Sequence, residues 1–127
     1  MIVPSTDERG TLIPIYQKDF GKEFKRIMIF KNVPKNSSRG HHGHKREKQL
    51  VFVLNGQIEV DTESFDYKKK IILRENDYLI LNPLTWNIFN FIQENSSMIV
   101  FGSEDYDEDE YIRNYQEFLE MKKQCQV

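Results

Sequence analysis

Arg39-Gly40-His41-His42-Gly43-His44-Lys45, joined by a charged turn to Gln49-Leu50-Val51-Phe52-Val53-Leu54-Asn55-Gly56, is the stretch on which the fold of this chain turns. All three histidines of the protein fall in its first half. In extended backbone the side chains alternate faces, so His42 and His44 point one way and His41 the other. Two imidazoles on one wall suit either a metal or a proton transfer near neutral pH. The plain alternative is a solvated basic loop or a tag remnant. Against it stand the interior position, the interrupting glycines and the apolar run that follows. Gln49 to Leu54 is rich in β-formers, and Asn55-Gly56 predicts a tight type I′ hairpin, whose two central residues need positive φ.

Working outward, Thr6 to Gly10 reads as a polar turn, Thr11 to Tyr16 as a short strand and Lys18 to Lys22 as a loop. Ile27, Met28, Ile29 and Phe30 form an apolar run that predicts a strand buried on both faces. Pro34 to Ser38 is a loop signal, and Lys45 to Lys48 a charged turn. Beyond Gly56, Gln57 to Asp61 reads as the returning strand. Glu63 to Tyr67 with Lys69 to Leu73 suggests a second hairpin, with Lys68-Lys69-Lys70 on a solvated edge. Tyr78 to Asn82, Trp86 to Ile92 and Ser97 to Gly102 complete the series. Roughly nine strands with turns every several residues predict a sandwich or small barrel. The end differs: a helix is expected over about 107–122, with Tyr111, Tyr115 and Phe118 on one stripe and Ile112 and Leu119 beside it. Acids crowd its first turn and Lys122-Lys123 its last, matching the helix macrodipole. The organisation is therefore one all-β domain over 1–127, a β body to residue 103 with a C-terminal α-helix lying against it.

With 127 residues the chain has room for one core. A net charge of −2 leaves no basic surplus for a nucleic-acid track, whereas one or two arginines suffice for a small anion. The single Cys125 excludes an internal disulfide. Polar residues follow Val3 and Pro4 at once, so no signal peptide is expected, nor is a membrane span. A cytoplasmic location is the simplest expectation.

An all-β chain with His-x-His before a strand resembles the cupin (jelly-roll) barrel. The first cupin motif sets two His, a Glu and a Gly at the spacing held here by His42, His44, Gln49 and Gly56. Gln49 replaces the carboxylate, and a neutral carboxamide binds a hard divalent ion much less well. Pro83 to Ile88, where the second motif would supply a further His, has none. Two histidines without a carboxylate or third imidazole make a poor metal site. The expectation is a metal-free pocket with no cofactor, its histidines free to move protons.

Arg39 to Lys45, Gln49 to Gly56, Pro83-Leu84-Thr85-Trp86 and Gly102 to Tyr115 together are similar to the sugar-nucleotide 3,4-ketoisomerases, as are the Arg9-Gly10 turn and Lys25-Arg26. The resemblance covers nearly the whole chain. It implies a small cupin that binds a dTDP-linked 4-keto-6-deoxyhexose and moves the ketone from C4 to C3. His44 would be the principal base and His42 would hold or move a hydroxyl proton. Arg26 and Arg39 would stabilise enolate charge or bind diphosphate, and Arg9 would reach a phosphate across a dimer contact. Gln49 and Trp86 join the substrate-binding residues, Trp86 lining the barrel mouth. A homodimer follows from the resemblance and from the need to cover edge strands. The chain departs from the family at Met28 and Ile29, where relatives often carry Tyr, and at Asn87, where they often carry a basic residue. A sugar-nucleotide-binding cupin without turnover is the alternative function. A metal-dependent dioxygenase is disfavoured by Gln49 and the missing last His.

Overall fold

The computed structural model describes residues 2–125; Met1 and residues 126–127 of the expected domain lie outside the described residues. Along the chain run β1 (Ser5–Asp7), β2 (Gly10–Leu12), a short α1 (Gln17–Phe20), β3 (Arg26–Val33), β4 (Ser37–His44) and β5 (Gln49–Asn55). Then come β6 (Ile58–Glu63), β7 (Lys68–Leu73), β8 (Tyr78–Leu81), β9 (Trp86–Phe91), β10 (Ser96–Gly102), β11 (Tyr111–Ile112) and α2 (Tyr115–Cys125). Two antiparallel sheets face each other in a cupin jelly roll. One is ordered β3-β10-β5-β8, the other β11-β4-β9-β6-β7. β1 and β2 form a separate exposed hairpin.

Alternation along the strands decides what fills the space between the sheets. Val51 and Val53 of β5, Val100 and Met98 of β10, Val60 and Ile58 of β6, and Phe89 and Phe91 of β9 meet there as one buried cluster. Fully burying each such side chain contributes roughly 1.5–3 kcal/mol. The apolar fill occupies one part of the interior only. Further along the same faces the inward positions become polar: Gln49, His42, His44, Thr62 and Asn87. The outer faces carry their own clusters. Ile2, Ile13, Ile15, Phe20 and Phe24 cover Leu50, Phe52, Ile80 and Phe101, while Phe118, Leu119 and Met121 of α2 cover Trp86, Ile88 and Ile112.

Several expectations change. β3 is not buried on both faces: Met28 and Phe30 pack on the core, but Ile27 and Ile29 are 56% and 63% exposed. β3 is a sheet edge, and among the described residues nothing covers its outer side there. Asn55-Gly56 makes no hairpin, since β5 pairs with β10 and β8 whereas β6 pairs with β7 and β9. It is a corner between sheets in which Gly56 takes φ +87°, and a Cβ there would lie 2.1 Å from Ser96 Oγ. The second hairpin does form, as β6–β7, but Ser64 to Tyr67 is its turn, with Ser64 Oγ accepting the amides of Asp66 and Tyr67. Lys68-Lys69-Lys70 lies on the free edge strand as expected. The helix expected over 107–122 begins only at Tyr115 and runs to Cys125. Asn114 accepts the amides of Gln116 and Glu117 and caps it. The acids expected to open it instead form a 3-10 turn, Glu108–Glu110, initiated by the Asp107 side chain, and Tyr111 belongs to β11.

Candidate active site

β4 carries the histidines along the inner wall, and a bulge decides which residues share it. Gly40 and His41 both take positive φ (+92° and +56°), and the register against β9 shifts there. The shift places Arg39 opposite Phe89 and His42 opposite Asn87, so both face inward although an odd spacing separates them. His41 is turned out, its Nε2 paired with Ser38 Oγ at 2.7 Å. His42 and His44 stand edge to face with ring centroids 5.0 Å apart. Tyr111 of β11 closes on both, at 5.1 Å from His42 and 4.5 Å from His44.

The two imidazoles sit in different surroundings. His42 is half-buried, and its Nδ1–H donates to the Gly40 carbonyl at 3.0 Å, leaving the Nε2 lone pair uncommitted. Burial and then the neighbouring His44, with Arg113 and Arg26 behind it, push its pKa down to about 4, so it is neutral near pH 7. His44 is only 3% exposed. Its Nδ1 lies 2.6 Å from Glu110 Oε1, and its Nε2 lies 3.3 Å from Gln49 Nε2 and 3.4 Å from Glu47 Oε2.

A buried polar chain continues from there. The Gln49 amide donates to Glu47 Oε2 at 2.8 Å, and Arg26 Nη2 reaches the same oxygen at 3.0 Å. Glu47 is fully buried over Gly102, where a Cβ would stand 2.2 Å from its Oε1; only glycine at this point of β10 leaves room for the carboxylate. The Arg26 guanidinium also lies 5.8 Å from the Tyr111 ring and 5.9 Å from that of Tyr106, and its buried Nε has no partner in the protein. That orphaned donor is suited to a ligand oxygen.

His44, Glu47 and Glu110 bring three possible metal-ligand atoms within 4.8 Å of one another, which corrects the premise that no carboxylate accompanies the histidines. The donor set nevertheless fits a cation poorly. Glu110 Oε2 already accepts the amides of Arg46 and Glu47. Glu47 is held by a guanidinium and an amide, and Nδ1 of His44 is engaged by Glu110.

The profile of the family described as "FdtA: WxcM-like, C-terminal" matches residues 1–123. The chain belongs to the FdtA family. A TDP-4-oxo-6-deoxy-alpha-D-glucose-3,4-oxoisomerase of Aneurinibacillus thermoaerophilus is 30% identical over 114 residues, 88% of this chain and 82% of the relative. A mutant of the 3,4-ketoisomerase QdtA from Thermoanaerobacterium thermosaccharolyticum, solved in complex with TDP-4-keto-6-deoxyglucose, superposes with a TM-score of 0.90. That match has 32% identity and covers 97% of this chain and 91% of that one. The TDP-quinovose 3,4-ketoisomerase WlaRB of Campylobacter jejuni gives 0.85 at 29% identity, covering 94% and 93%.

Within this FdtA-family chain, four of the residues singled out from the sequence come together: His42, His44, Gln49 and Arg26. Arg39 lies further along the same wall, its guanidinium 5.1 Å from the Phe30 ring on the facing sheet. Arg9 does not reach the site. It sits on the β1–β2 hairpin, 83% exposed and paired with Asp7 at 2.6 Å. Trp86 does not line the barrel mouth either. Its parity on β9 points it outward, where it is 7% exposed against Tyr115 and Phe118 of α2 and borders an outer cavity of about 760 Å³. Asn87 is buried, its amide spent on Thr62 and Thr85. Glu47, Glu110 and Tyr111 escaped the sequence reading, because nothing local separates Glu47 from a charged turn or Glu110 from an acidic helix start.

Proposed function

We propose that this chain is a sugar-nucleotide isomerase that moves the keto group of a dTDP-linked 4-keto-6-deoxyhexose from C4 to C3. What carries the reading is the pair of adjacent imidazoles on the inner wall, one held neutral with an open lone pair and the other backed by a carboxylate. The names of the relatives favour the same substrate class.

In the proposed reaction His44 takes the acidic proton from C3, the C3–H electrons form the C3=C4 double bond, and O4 gains a proton to give the enediol. The O3 proton then leaves, C3 becomes the ketone, and C4 receives a proton from the imidazolium. One hydrogen has moved from C3 to C4 and one from O3 to O4, so no redox cofactor enters the balance. An imidazole suits a group that must both take and return a proton near neutrality. His42, a weak base with Nε2 open, serves the hydroxyl proton. Gln49 spends its second N–H on a long contact to His44 and can turn it to a substrate oxygen. In this reading the unpaired Nε–H of Arg26 would serve developing enolate charge, and Arg39, further toward solvent, would bind a diphosphate oxygen.

A homodimer belongs to the proposal, formed over the uncovered Ile27 and Ile29 on the β3 edge, with Arg9 on its projecting hairpin within a partner's reach. So does action in the cytoplasm, supplying a 3-keto sugar nucleotide to an aminotransferase of surface-polysaccharide synthesis.

The test is incubation with dTDP-4-keto-6-deoxyglucose in deuterated water, followed by NMR of the ring protons. Exchange at C3 with a new 3-keto product is expected, and His44→Asn should abolish it while nucleotide affinity stays nearly intact. Saturable binding with unchanged ring protons would instead mark a binding module without turnover.

A further inference from the structure

We infer that Glu110 is a positioning residue of this site, fixing His44 as the Nδ1–H tautomer so that Nε2 carries the lone pair available for proton abstraction. The inference rests on the reading of His44 as the base. Glu110 is itself held at several points. It is 1% exposed, its Oε2 accepts the amides of Arg46 at 2.9 Å and Glu47 at 3.0 Å, and its carbonyl accepts the Lys45 amide at 2.8 Å. The other carboxylate oxygen, Oε1, meets His44 Nδ1 at 2.6 Å. An ionised carboxylate can only accept, so the imidazole proton must sit on Nδ1.

The opposite side of the ring agrees. The Gln49 amide nitrogen lies between Glu47 Oε2 and His44 Nε2. Turning that amide over would set its oxygen against a carboxylate and a lone pair, so its two N–H groups point at both. Among the described residues, the charged and titratable groups that face His44 are Glu110 ahead of β11, Tyr111 on it, His42 on β4, and Glu47 with Arg26 behind it. When Nε2 takes a proton, the Gln49 N–H that pointed at it turns away and the new N–H finds Glu47 Oε2 at 3.4 Å.

Glu110→Gln makes the proposal specific. Two backbone N–H groups converge on the Oε2 position, so the new amide must place its oxygen there and present its NH2 to His44. That NH2 can only donate to Nδ1, which drives the ring to the Nε2–H tautomer and removes the base. With 15N-labelled histidine, the ligand-free protein should show His44 with Nδ1 protonated and Nε2 bare, and Glu110→Gln should reverse the two resonances. In the deuterium-exchange assay kcat should fall by roughly 10²- to 10⁴-fold with KM within about threefold, and Glu110→Asp should recover part of the loss. A wild-type His44 protonated at Nε2 overturns the inference, as does a folded Glu110→Gln protein with normal kcat or with lost activity and an unchanged tautomer. If Glu110→Gln fails to fold, the wild-type tautomer alone decides. If wild type catalyses no exchange, the isomerase reading fails while the tautomer measurement still judges Glu110.

Discussion

His42 stays uncharged in the folded chain because its ring is half-buried beside His44, and beyond it the Arg113 and Arg26 cations. With a folded pKa of about 4 against an ordinary 6.5, the unfolded state binds the extra proton between those two values. Stability therefore rises with pH across that window, is complete above about 6.5, and is lost progressively as pH falls toward 4. Allowing for the partial exposure of the ring, the effect is on the order of 2 kcal/mol. Glu110 adds to it with the same sign: its backbone amide partners and His44 outweigh burial and hold its carboxyl below the usual range. Urea midpoints measured from pH 7 to pH 4 should therefore fall steeply for wild type. His42→Gln should flatten the part above pH 5 and keep the carboxylate part below it. Identical slopes for the two proteins would show that His42 is not the group responsible.

The tail between β10 and the C-terminus divides into a turn, a two-residue strand and a helix, and the pieces have different duties. The turn and strand bring Glu110 and Tyr111 to the inner wall. The helix lies outside, with Phe118 fully buried against Trp86 and Phe65. Phe118→Ala should cost about 3–5 kcal/mol of stability and shift the emission of the single tryptophan, Trp86, to the red. Turnover by the protein that remains folded should be unchanged, and a matching loss of kcat would tie the helix to the site. These duties were not legible in the sequence for a physical reason. Acids followed by an aromatic stripe at helical spacing satisfy a capped helix, and a two-residue strand leaves no periodicity. The Asn55-Gly56 corner misled in the same way, because a sharp turn looks alike whether the next strand pairs with its neighbour or crosses to the other sheet.

At the scale of the molecule, the all-β class was readable from residue type and spacing, and the cupin register of His42, His44, Gln49 and Gly56 and the family from the resemblance of those segments to known sequences. The buried chain from Glu110 to Arg26 was not, since burial of a charge depends on strands far apart in sequence. The edge strand β3 is the other feature that only the assembled sheets reveal. Its two exposed isoleucines are the surface over which the dimer is proposed. Ile29→Glu should convert the proposed dimer to monomer in sedimentation velocity, and unchanged sedimentation would place any dimer contact elsewhere. Finally, the carboxylate that anchors His44 lies 66 positions downstream of it. A nascent polypeptide that has emerged from the ribosome only as far as β10 already owns both imidazoles, yet it lacks the acid that orients one of them. Competence thus arrives late in synthesis, with the last short strand to be added.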